Sequence, residues 1–143
     1  NWLPILADWH HLMYLDRMTI TENKLSSFSS PISADFCDIN QIHNYNHLIR
    51  HLDFLIVSEL NCGRILDLNI PTRRGIIVHN PEMIYSFIDN EYQEFKINRE
   101  NNLNVVGAGD YFAAYCIANL LTGGIFSLEM NHYKTLTILQ KQS

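Results

Sequence analysis

Asn104-Val-Val-Gly-Ala-Gly-Asp110-Tyr-Phe-Ala-Ala-Tyr-Cys-Ile-Ala-Asn-Leu-Leu-Thr-Gly123 joins a glycine loop, a carboxylate and a helix start in one run. Gly107 and Gly109 carry no Cβ, so consecutive N–H groups can turn toward one point where an apolar helix begins. Unpaired amides of a first helical turn and the positive end of its dipole make that point an anion site. Asp110 stands at its edge. A carboxylate there is either a plain N-cap or a base that takes a proton from an attacking hydroxyl. Beyond it, Phe112, Tyr115, Cys116, Asn119 and Leu120 fall at three-and-four spacing with alanines between them. That pattern predicts a helix packed closely on a sheet and ended by Gly123-Gly124.

Gly107-Ala108-Gly109-Asp110, followed by Tyr111-Phe112-Ala113-Ala114, resembles the C-terminal signature of the PfkB (ribokinase-like) carbohydrate kinases, D-T-x-G-A-G-D-x-F followed by small residues. The resemblance implies a Rossmann-like α/β three-layer sandwich with a mostly parallel sheet. It implies Asp110 as catalytic base and substrate contact, and the amides of Gly107, Ala108 and Gly109 as the anion hole for ATP phosphate. The resemblance further implies that residues 1–143 correspond to the C-terminal half of a family member, with the N-terminal substrate and lid half expected to be absent from this sequence. The first residue is Asn rather than Met, and the chain is expected to be a piece of a longer protein.

Composition narrows the reading. A chain of 143 residues, 47% hydrophobic and 17% charged, has the balance of one globular domain. A formal charge of −5 without a Lys/Arg run argues against nucleic acid or an anionic membrane surface as partner. No stretch approaches a transmembrane length and no leader-like segment opens the chain, so a cytoplasmic location is expected. Cys37, Cys62 and Cys116 share no metal-like spacing, which points to reduced thiols.

In chain order, residues 8–15 read as a strand, and Ala7-Asp8-Trp9-His10-His11-Leu12 resembles the family's A-D-W-x-H run. His10 and His11, adjacent on a strand, point to opposite faces and are expected to be structural. Thr21 can cap a short helix before Pro31. Residues 31–36 form a second strand whose end resembles the family's D-x-N-x-R, with Asp35 kept and Cys37 and Ile39 replacing Asn and Arg. Segment 41–52 is predicted as an amphipathic helix with His43, His47 and His51 on a solvated face. Asp53 to Val57 is an apolar run of the kind found in buried parallel strands.

Ser58-Glu59-Leu60-Asn61 stands where the family carries N-x-x-E, tied to magnesium. Glu59 is therefore either the acid of a Mg2+ site completed by water and substrate phosphates, or the cap of a following helix. From Asn61 to Arg74 the chain is shorter than in the family. Thr72-Arg73-Arg74-Gly75 then resembles a contracted T-x-G-x-x-G nucleotide loop. Thr72, Arg74 and Gly75 are its nucleotide-binding candidates, with exposed turn charges as the equal alternative. Runs 75–79, 83–88 and 91–97, turned at Asn80-Pro81 and Asp89-Asn90, predict a hairpin system. Asn104 replaces the aspartate that helps hold a monovalent cation in the family, so potassium activation is not expected. Residues 127–140 predict a last helix.

The resemblance thus implies an ATP- and Mg2+-dependent kinase for a hydroxyl of a sugar-like small molecule. A binding module without catalysis, regulatory or assembling, is the other reading. A homodimer through an exposed sheet edge is a third, partner-level expectation.

Overall fold

The computed structural model describes residues 7–59, 68–80, 82–96 and 108–121, with 108–111 described by backbone alone. Six strands form one sheet in chain order: β1 (His10–Leu12), β2 (Ile32–Ala34), β3 (Phe54–Ser58), β4 (Gly75–His79), β5 (Met83–Ile88) and β6 (Glu91–Lys96). β1 to β4 pair in parallel, whereas β4–β5 and β5–β6 are antiparallel. Among the described residues the α-helices are α1 (Glu22–Ser26), α2 (Asn46–Ile49) and α3 (Ala108–Leu121).

Alternation along the strands builds two cores. Leu55 and Val57 of β3, with Ile76 and Val78 of β4, face Leu25, Ile42, Leu48 and Ile49 of the crossover segments. Ile56 and Ile77 point the other way, against Phe112, Ala113 and Cys116 of α3. Two apolar faces on one sheet demand a layer on each, and the three-layer α/β architecture follows. Parallel crossovers running in one direction place α1 and α2 on the same side.

Local chemistry sets the element ends. Thr21 caps α1, its hydroxyl accepting from the Lys24 amide at 3.3 Å. β1 stops after three residues because Tyr14 turns left-handed (φ 58°) and its amide donates to the Asp35 carboxylate. Asp89 and Asn90 both have positive φ, 50° and 67°, which makes the β5–β6 connection a two-residue turn of the primed type that matches strand twist.

The helix expected over 41–52 is a correction. Ile39–Tyr45 is a 3-10 helix, and only Asn46–Ile49 is α-helical. Asn and His are weak helix formers, and Asp38 draws the Asn40 amide into a tight cap, so the segment winds more tightly while still burying Ile42. His43 and His47 are exposed as expected, and His51 lies 4.0 Å from Glu22. Gly107, Asn104, Cys62 and the predicted helix 127–140 lie outside the described residues.

Candidate functional site

In a sheet of this kind, ligands collect where the parallel strands end, because loops there diverge and leave a crevice. Residues after β1, β2, β3 and β4 reach that edge.

At the end of β2 the chain fastens itself. The Asp35 amide donates to the Leu12 carbonyl at 3.2 Å, and the Leu15 amide to the Asp35 carbonyl at 2.9 Å. Asp16 then spends both carboxylate oxygens on the amides of Cys37 (2.7 Å) and Asp38 (2.9 Å). Two adjacent N–H groups that would suit a phosphate are thus filled by the protein's own anion. The hydrogen bond with the Cys37 side chain, helped by the charges of Cys37 and Asp16, raises the pKa of the exposed Arg17 guanidinium.

The ends of β3 and β4 are joined one residue beyond their ladder. Ser58 pairs with His79, and the Glu59 amide donates to the His79 carbonyl at 3.0 Å. Glu59 is half-buried at this edge. Beyond His79, Asn80 closes the turn: its side-chain oxygen accepts from the Glu82 and Met83 amides, both at 2.8 Å, and its own amide donates to the Met83 carbonyl at 3.0 Å.

α3 arrives at the same edge. The Phe112 ring is buried and packs on the His79 imidazole at 4.2 Å between centroids. Asp110 precedes Phe112 by two helical residues, a rise of about 3 Å along the axis. The backbone of Ala108, Gly109 and Asp110, the first turn of α3, therefore enters beside His79, on the edge that carries Glu59.

Thr72, Arg74 and Gly75 are not brought there. Gly75 pairs with Phe54 at the start of β3, whereas His79 pairs with Ser58 at its end. Four strand steps of about 3.3 Å separate the two ends by roughly 13 Å. The amides of this loop are also occupied: Arg73 donates to the Leu52 carbonyl at 2.9 Å, and Arg74 and Gly75 donate to the Asp53 carbonyl at 2.9 and 3.1 Å. These amides anchor the start of the strand. A cleft of about 310 Å³ lies at this far end.

His79 and Asn80 escaped sequence reasoning as site residues, since Asn80-Pro81 reads locally as a turn. Their position at a parallel strand's carboxyl end was the usable signal. Asp16 offered no local signal, because its amide partners lie far along the chain.

No family profile matches the sequence, and no curated protein does. Solved structures do match. A crystal structure of a putative ribokinase from Thermoplasma acidophilum is 19% identical with a TM-score of 0.60, over 99% of this chain and 59% of that one. A pyrophosphate-dependent kinase of the ribokinase family, complexed with a pyrophosphate analogue and myo-inositol, is 15% identical with a TM-score of 0.60, over 93% and 56%. A putative ribokinase II from E. coli, in complex with ATP and Mg2+, is 17% identical with a TM-score of 0.58, over 81% and 46%. The chain spans about half of each of these structures. The six-stranded mixed sheet with helices on both faces has the ribokinase-like fold, in the part of it that this chain covers.

Proposed function

We propose that the chain is part of an ATP-dependent phosphotransferase acting on a hydroxyl of a sugar-like small molecule. The observation that carries this reading is the entry of Ala108-Gly109-Asp110 into α3 at the carboxyl edge of β4, beside His79 and Glu59. Amides of residues 107–109 would meet the transferring phosphate, where donors aimed at developing charge act most strongly. Asp110 would accept the proton of the attacking hydroxyl. The ATP, Mg2+ and myo-inositol named for the similar structures support the substrate class.

Among the described residues no three His, Cys, Asp or Glu side chains converge. A magnesium ion here suits Glu59, water and the nucleotide's own phosphates, since that ion keeps several waters and tolerates few protein ligands. The cation would neutralise charge on the phosphates. Asp110→Asn in the full-length protein tests the reading: phosphate transfer in a coupled assay across sugars should fall to background with folding intact. Undiminished turnover would refute the assignment.

A second reading, a nucleotide- or sugar-binding module without catalysis, is favoured by one observation. Asp16 fills the amides of Cys37 and Asp38 where a phosphate would lie. Calorimetry with Mg-ATP separates the two readings from an inert scaffold, and the coupled assay separates them from each other.

A further inference from the structure

The cleft of about 310 Å³ at the amino end of β4 lies at the opposite end of that strand from His79 and the edge where α3 enters. Its floor includes Ile76 and Phe87, a cross-strand pair that shares one face of the sheet. Ile76 is buried, but Phe87 is 42% exposed, and its partner on β6, Tyr92, is 49% exposed. An aromatic ledge left in water gains from being covered by a flat apolar group. Thr72, Arg73, Arg74 and Asp89 line the same cleft.

The charges on this lining do not cancel. Arg74 gives its guanidinium to Asp89 at 3.2 Å and lies 4.8 Å over the Phe54 ring centroid. Arg73 makes no ion pair among the described residues. Two guanidinium groups against one carboxylate leave one positive charge, in a protein whose formal charge is −5. A guanidinium fork is matched by a carboxylate held bidentately. The volume sits at the lower bound for small-molecule sites, roughly 300 Å³, which suits one ring with one charged group and not a nucleotide.

We propose that this cleft binds a small aromatic carboxylate, with Arg73 holding the carboxylate and Phe87 covered by the ring. Benzoate is the probe, with benzyl alcohol and acetate as single-feature controls, followed by amide NMR. Benzoate should shift the signals of residues 72–76 and 87–90 along a saturable curve. Each control should bind at least about ten-fold more weakly. Arg73→Gln, at an exposed position, should leave the rest of the spectrum unchanged and weaken benzoate by about ten-fold or more. The proposal is overturned if benzoate produces no saturable shift there, if either control binds equally well, or if Arg73→Gln binds benzoate as the parent does.

Discussion

The imidazole of His79 and the ring of Phe112 lie 4.2 Å apart between centroids, their planes inclined at 39°. This contact locks the carboxyl end of β4 to the early turns of α3. It sets where the backbone of Gly109 and Asp110 enters the edge.

Phe112→Ala should therefore do more than open a cavity. A buried phenylalanine cut to alanine costs about 3–5 kcal/mol, and this ring is 2% exposed. Urea unfolding would read the loss. A change within about 0.5 kcal/mol, the usual surface value, would show that α3 does not depend on this ring.

Gly75 is constrained by backbone approach. A Cβ built there would lie 2.3 Å from the Phe87 carbonyl oxygen and 2.8 Å from the Ile88 Cα, neither of which can swing away as a side chain would. Gly75→Ala should destabilise by about 1–3 kcal/mol, the usual cost of overpacking, and disturb the β4–β5 ladder. Amide exchange at residues 75–79 and 84–88 should speed up, and an unchanged pattern would contradict the close approach.

Removing the Asp16 carboxylate uncovers two amides. Asp16→Ala should cost about 1.5–3 kcal/mol, the range for hydrogen bonds to a charged group. With those amides open beside Arg17, inorganic phosphate should raise the melting temperature of the variant more than that of the parent. Equal response in the two proteins would mean that the carboxylate does not occupy an anion position.

Burial raises the pKa of the Cys116 thiol well above its ordinary value, because the thiolate is not solvated in the core. The unfolded chain releases this proton first, so above the ordinary thiol pKa the folded state holds more protons than the unfolded one. Stability is full below that pKa and falls as pH rises toward the folded value, by at most about 1.4 kcal/mol per pH unit. Cys116→Ala should flatten the alkaline part of the stability curve. Exposed Cys37 should react with a thiol reagent in the native protein, while Cys116 should react only on unfolding.

Local pattern was a good guide wherever one element answers to its own neighbours. The apolar run of β3, the hairpin turned at Asp89-Asn90 and the Thr21 cap stand as read, whereas α3 already begins at Ala108, which puts Asp110 inside its first turn and not at its N-cap. The reading of 41–52 failed because the spacing of Ile42, Leu48 and Leu52 fits a helix while the Asn and His residues between them do not favour one.

By itself, the sequence determined the strand and helix faces and the glycine-aspartate run that opens α3, because periodicity acts within a few residues, while the α/β class was implied by the resemblance carried on Gly107–Ala114. Tertiary structure alone decided which edge of the sheet each loop beside β4 reaches. Chain order puts Thr72–Gly75 before this strand and His79–Asn80 after it, but only the parallel pairing with β3 brings the His79 end to the edge where β1, β2 and β3 also end. The occupation of the Cys37 and Asp38 amides by Asp16, and the seating of Phe112 on His79, were likewise settled by contacts between distant parts of the chain, whose geometry exists only once the sheet has formed.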